Sequence, residues 1–467
     1  MQPNTKGFLA RVMVSGLFVF LISPTTSIQA WQKEPLEVYR ARRAAVMDKL
    51  KDGVIVLFGL KDSERADSDL TPFRQDDYFY YLSGWNEPGA ILVLLPKGRQ
   101  NIATAMFPSE QLTREVLFLP DHDPVRERWT GPKLSPQDKQ AIAATGFPLV
   151  LPVERFPGEM SNALGTTQVI YMILPSAGIN AQHSREEEKV SQLHMLSPFA
   201  EIRDARSVLD NLRQVKSKSE LALLQKAIDA SVDAHLAATK AIKPGAYEYQ
   251  AAALLKYTWE NEGCEGAAYA PIVGSGFDST VLHYNQNTGL MKSGETLVVD
   301  AAGDYSGYAA DITRTYPVDG KFSERQKQIY ELVLGAQETA ANSIVPGKTL
   351  LRSITQVVKD YFKQSPLRGP KGENDTLDHY FIHGAGHWIG LEVHDVGDYT
   401  RPVDKNMVFT IEPGIYIPEE SLGVRIEDDY MVNDEGKVVK LSSRLPSSIQ
   451  EIERLMSGKT SKSVSQR

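Results

Sequence analysis

From residue 36 to 50 apolar and charged positions alternate as in an amphipathic helix. Short apolar runs bounded by turn residues follow at 54–58, 90–95, 102–107, 169–174 and 200–202. Helical stretches at 136–144 and 185–195 lie among them. Strands alternating with helices in this way predict an α/β domain. The aromatic-rich segment 73–82, FRQDDYFYYL, suits a core or interface better than a ligand wall.

The pattern changes near residues 205–214. Ser217 and Glu220 then form an S-x-x-E capping box that opens a helix, which stops at Pro244-Gly245. The same sequence of signals returns with Ser323 and Gln326 and a stop at Pro346-Gly347, 346 − 244 = 102 residues later. After each stop a further helix begins, near Tyr247 and Leu350. The repetition predicts an internal duplication, two related halves with a crevice between them.

Strands in this second region end in acids. ETLVVD closes on Asp300, and a glycine-containing turn brings the chain back to Asp311; Asp304 in that turn is expected to be solvated. The run 407–411 leads into Glu412, and the strand 424–432, VRIEDDYMV, carries Glu427 near its middle. Carboxylates among β-formers are costly unless neutralised. The stretch 381–397, FIHGAGHWIGLEVHDVG, adds His383, His387 and His394. Its glycines argue for a turn that lets the backbone approach something closely, and against one helical face. Four carboxylates and one imidazole, His387, balance two divalent cations. Mostly oxygen donors favour Mn²⁺, with Co²⁺, Fe²⁺ or Zn²⁺ able to occupy the same site. Two ions at about 3.5–4 Å can share a hydroxide and clamp a carbonyl.

Composition narrows the setting. A net charge of −8 argues against a nucleic-acid partner. One cysteine, Cys264, excludes an internal disulfide and a multi-cysteine zinc site. Lys6 and Arg11 precede an apolar run at 12–22 and a small-residue stretch at 23–30, the order of a secretory signal too short to span a membrane. The mature chain is therefore expected to be exported, periplasmic or secreted, with no stable membrane insertion after signal cleavage. The polar tail 457–467 is expected to be mobile.

The strings VVDAAGDYSGYAADITRTYP, HGAGHWIGLEVHD, TIEPGIYI and VRIEDDYMV, in this order, resemble the pita-bread metallopeptidases. FRQDDYFYYLSGWNEPGA in the amino-terminal half resembles that family's creatinase-like domain and leans towards Xaa-Pro aminopeptidase. The resemblance implies a creatinase-like α/β domain at 31–205 and a pseudo-twofold pita-bread domain at 206–456, between the signal at 1–30 and the tail at 457–467. It also implies roles. Asp300 would bind one metal, Asp311 and Glu427 would bridge, and His387 and Glu412 would complete the other. Glu412 would shuttle a proton. His283 and His394 would assist at the carbonyl or leaving group, while His383, Tyr416 and Arg425 would line or orient the substrate side. The implied activity is a metal-bridged hydroxide attacking the amino-terminal Xaa-Pro bond of peptides, in a homo-oligomer. Trp388 and Tyr80 are candidates for a wall around proline. The short segment between Glu412 and Glu427 keeps Xaa-Pro dipeptidase (prolidase) as the alternative. A metal-free creatinase-type hydrolase or an inactive peptide-binding pita-bread protein is disfavoured, because all five ligands are present.

Overall fold

The computed structural model describes residues 33–62, 73–98, 113–164, 168–175 and 184–458. The signal segment, the run at 102–107 and most of the polar tail lie outside them. No helix among the described residues is long and apolar enough to cross a membrane.

The amino-terminal part is built on a mixed six-stranded sheet. Its strands are β1 (Val54–Phe58), β2 (Ile91–Leu94), β3 (Glu115–Leu119), β4 (Leu149–Pro152), β5 (Val169–Met172) and β6 (Glu201–Asp204), in the order β4-β3-β2-β1-β5-β6. Successive side chains point to opposite faces. Val54, Val56, Val93, Val116 and Phe118 therefore pack on one side with Met160 and Leu193. Ile55, Leu57, Leu92, Leu94 and Leu117 pack on the other, in a core continuous with that of the carboxy-terminal part. Helix α1 (Leu36–Lys49) matches its sequence pattern, and α2 (Asp77–Ser83) holds the aromatic segment, with Phe79 to Leu82 all in this shared core. The helix expected over 136–144 is only Ala141–Thr145, preceded by turns.

Helix α3 (Arg185–Leu196) and the connecting α4 (Arg206–Gln214) lead into α5 (Lys218–Ala238). Both predicted capping boxes are formed, at Ser217 for α5 and at Ser323 for α7 (Glu324–Ser343). Each long helix packs against the next, α5 on α6 (Glu248–Asn261) and α7 on α8 (Ile354–Gln364), so the duplicated signals correspond to repeated helix pairs. One buried polar residue on each long helix reaches strand-end backbone near the acids. His235 contacts the carbonyl of Ala301 at 2.9 Å, and the Gln337 amide donates to that of Ile411 at 3.0 Å.

Against these helices lie the sheets β12-β9-β8 and β13-β16-β17 and the hairpin β14-β15. The strands are β8 (Ile272–Ser275), β9 (Thr296–Asp300), β12 (Thr313–Pro317), β13 (Val408–Ile411), β14 (Gly414–Ile417), β15 (Leu422–Arg425), β16 (Asp428–Val432) and β17 (Val438–Lys440). Two expectations change here. The turn after Asp300 is an excursion, in which β10 (Gly303–Tyr305) pairs with β11 (Tyr308–Ala309) and with β7 (Gly266–Ala267) before β12 returns beside β9. The segment 424–432 is two strands, broken at Ile426 and Glu427, with Glu427 bridging to Thr313. The break lets the Glu427 backbone pair with Thr313 of β12, and its side chain lines the same cavity as the other acids.

Candidate active site

The acidic strand ends and the glycine-rich loop converge on a cavity of about 580 Å³. β9 delivers Asp300, and the excursion returns Asp311 to the same place. Tyr269 places its hydroxyl 2.6 Å from an oxygen of each. The loop 381–397 lies along β13. Thr410 N–H donates to the His387 carbonyl at 2.9 Å, and Glu412 N–H donates to that of Ala385 at 3.0 Å. A Cβ at Gly386 would stand 2.2 Å from the Thr410 carbonyl oxygen, so only glycine allows this approach. The pairing sets His387 beside Glu412.

His387 Nε2 lies 3.2 Å from Asp311, 3.7 Å from Glu412 and 3.9 Å from Glu427. Its Nδ1 sits 3.0 Å from the Trp388 carbonyl, which places a proton on Nδ1 and turns Nε2 towards the acids. Ligand atoms of Asp311, His387 and Glu427 lie within 4.8 Å of one another. Asp300 and Glu412 flank this group along the cavity wall.

Electrostatics show how strongly the clustered acids oppose one another's charge. Burial, then the charges of Asp311, Glu412 and Asp300, hold the Glu427 carboxyl well above its ordinary range. Burial pushes Glu412 up to about 8, against the attraction of His387 and with the repulsion of Asp311. Asp300 is raised by burial despite Arg425 beside it. Burial lowers His387, but its hydrogen bond to Asp311 and the charges of Glu412 and Asp311 carry it up to about 9. Acids crowded in a low-dielectric wall stay ionised only with cations among them. The donor set, four carboxylates and one correctly presented imidazole nitrogen, fits divalent metal.

The remaining predicted residues are also here. His283, His383, His394 and Arg425 line the cavity, and the His394 ring centroid is 4.2 Å from that of His387. Arg425 donates to Asp300 at 2.7 Å and to the Tyr416 hydroxyl at 2.9 Å. Tyr416 is 2.9 Å from His383 Nε2, so a relay runs from Asp300 to His383. Tyr416 itself is buried behind the cavity wall. Burial lowers His383 to about 4, which keeps the ring neutral and able to accept from Tyr416.

Three expectations fail. Trp388 is wholly buried against Tyr399 and Phe409, and Tyr80 packs by Tyr39 and Gly307, so neither lines the cavity. The apolar wall is Ala270, Ile272, Leu282 and Val393. Asp304 is buried, not solvated, and pairs with Arg74 from the amino-terminal part. Sequence reasoning also passed over residues that hold the candidate ligands. Besides Tyr269, Thr313 donates its hydroxyl to Glu427 at 2.7 Å, and Asp429 accepts the Asp311 N–H at 3.2 Å. Arg314, fully buried, donates to the Glu427 carbonyl at 2.8 Å and to Asp428 at 2.7 Å. The alternation in VRIEDDYMV could have pointed to Asp429; nothing local marks Tyr269.

Comparison with known proteins gives two family matches. Residues 222–434 match metallopeptidase family M24, and residues 39–171 match the aminopeptidase P amino-terminal domain. The chain is 33% identical over 448 residues to an Xaa-Pro aminopeptidase of Haemophilus influenzae, covering 91% of this chain and 98% of that one. Among solved structures it resembles proline aminopeptidase P II from Yersinia pestis, with 30% identity, a TM-score of 0.78 and coverage of 91% and 100%. It also resembles zinc-substituted Escherichia coli aminopeptidase P in complex with product, at 28% identity, TM-score 0.78 and coverage of 92% and 100%.

Proposed function

From the premise that this chain belongs to metallopeptidase family M24 and is a metalloaminopeptidase of the Xaa-Pro type, we propose that it cuts the bond between residue one and proline with two divalent ions. The observation that carries the reading is the convergence of Asp300, Asp311, His387, Glu412 and Glu427 on one cavity. Asp300 would hold one ion, Asp311 and Glu427 would serve both, and His387 and Glu412 would hold the other. The oxygen-rich set favours Mn²⁺; the zinc-substituted relative is in keeping with a site that accepts several divalent ions. When bound, the ions supply Lewis acidity, making a water acidic enough to ionise near neutral pH and polarising the carbonyl.

The protein's own groups do the rest. The carboxylate cluster takes the free amino terminus of the peptide, which makes the enzyme an exopeptidase. Glu412 accepts the proton of the attacking water and returns it to the departing proline nitrogen. His283 and His394, on the cavity wall, donate towards the peptide oxygen where charge develops. Arg425 and Tyr416 fix Asp300 and His383. Ala270, Ile272, Leu282 and Val393 offer an apolar face to the proline ring. We further propose export with residues 1–30 as a leader, and a homo-oligomeric assembly.

The test is a rate comparison on Mn²⁺-loaded enzyme with an Xaa-Pro-Yaa tripeptide, an Xaa-Pro dipeptide and an Xaa-Ala-Yaa control. Cleavage of the tripeptide well above both others is expected. A preference for the dipeptide would make the chain a prolidase, and no cleavage by metal-loaded enzyme would leave a peptide-binding protein.

A further inference from the structure

His394 sits on the loop that follows His387, and the back of that loop is held by charged side chains that do not line the cavity. Asp395 points away from the cavity. Its Oδ1 accepts from Arg213 Nη2 at 2.6 Å and its Oδ2 from Lys216 Nζ at 2.8 Å. Lys216 Nζ also donates to the Arg213 carbonyl at 2.6 Å. All three side chains are nearly fully buried, at 2% exposure or less. Asp395 N–H closes the loop on the Trp388 carbonyl at 2.9 Å. Gly390 completes the seat: a Cβ there would lie 2.1 Å from Asp395 Oδ2 and 2.8 Å from Lys216 Nζ.

The other flank of the loop is pinned from both parts of the chain. Arg74 donates to the Leu391 carbonyl and pairs with Asp304, while Ala309 N–H donates to the Gly390 carbonyl at 2.9 Å. Asp77, on α2, lies 3.4 Å from Arg213. The loop thus has one face on the cavity, with Val393 and His394, and one face fixed by a buried ion triad that reaches into both parts of the chain.

We infer that Asp395, held by Lys216 and Arg213, is a positioning residue that sets the His394 ring against the scissile carbonyl. A buried triad costs desolvation that simple packing would avoid, so its worth lies in fixing one loop geometry. Displacing a group by about 1 Å from its productive place can cost up to ~100-fold in rate. The inference rests on His394 facing substrate, as proposed above. The junction at 205–216 and helix α2 are then parts of the catalytic apparatus, acting through the loop.

The experiment is a double-mutant cycle on metal-loaded enzyme with an Xaa-Pro-Yaa tripeptide. Asp395→Asn and Lys216→Met are each measured alone and combined with His394→Ala, with circular dichroism and metal content as controls. Expected are a kcat at least tenfold lower for either single variant, KM within about threefold of wild type, unchanged metal content and little further loss on the His394→Ala background. Wild-type kcat in both folded variants would overturn the inference. So would a loss that persists in full without His394, or failure of both variants to fold, since either makes the triad a stability element only. If His394→Ala alone keeps full activity, the fault lies with the role given to His394 in the proposed mechanism.

Discussion

Thr313→Val removes the hydroxyl behind the candidate metal centre and leaves the shape of the strand alone. The hydroxyl donates to Glu427 Oε2 at 2.7 Å, and Thr313 is wholly buried, so no solvent takes its place. The ladder of β12 with β9, which pairs Thr313 with Asp300, does not depend on that hydroxyl. Arg425 loses an acceptor at 3.3 Å but keeps Asp300 and Tyr416. A hydrogen bond to a charged group is worth about 1.5–3 kcal/mol, and its loss leaves the carboxylate less well oriented. At about 1.4 kcal/mol per decade this predicts metal affinity weaker by roughly 10- to 100-fold. The assay is titration of chelator-stripped enzyme with Mn²⁺, followed by bound metal and by tripeptide cleavage. At saturating metal, kcat should return to near the wild-type value. An affinity within a factor of two of wild type, in a folded variant, would refute the idea that Thr313 supports Glu427 as a ligand.

Glu412→Gln should keep the fold by circular dichroism and lose about 10²–10⁴-fold in turnover, the usual worth of a proton-transfer group; a wild-type rate would remove Glu412 from the mechanism. His387→Ala should lower bound metal by elemental analysis, and unchanged stoichiometry would mean that His387 is no ligand. His235 gives a pH dependence of stability. Burial lowers its pKa to about 4 in the folded chain. The unfolded chain therefore binds the extra proton first, so this contribution is present above pH ~6.5 and is lost as pH falls towards ~4, of order 3 kcal/mol in all. Urea unfolding at several pH values should show a shallower dependence in His235→Asn, and an equal slope in the two proteins would contradict it.

What could be read in advance was local. Both capping boxes, both Pro-Gly stops and the acidic strand ends are signals written within a few residues, and the helix pairs and ligand-bearing strands follow them. The five candidate ligands stood out because carboxylates among β-formers and a glycine-flanked histidine are costly without a shared purpose. What was missed depends on partners far along the chain. Asp304 reads as a turn residue, yet it meets Arg74 across 230 positions. Trp388 follows a candidate ligand, yet the strand-like pairing of its loop with β13 turns the indole into the core beside Phe409. Tyr269 sits in an irregular segment with no periodicity, and only the convergence of Asp300 and Asp311 gives its hydroxyl a purpose. The break at Glu427 was hidden because VRIEDDYMV has the composition of one unbroken strand.

The central claim, two working ions in one five-residue centre, is tested most directly by counting metal against rate. Stripped enzyme is reloaded with Mn²⁺ in steps, and bound ions per chain and Xaa-Pro-Yaa cleavage are measured on the same samples. Activity should keep rising until two ions per chain are bound and then stop. Full activity at one ion per chain, with no second ion taken up, would contradict it.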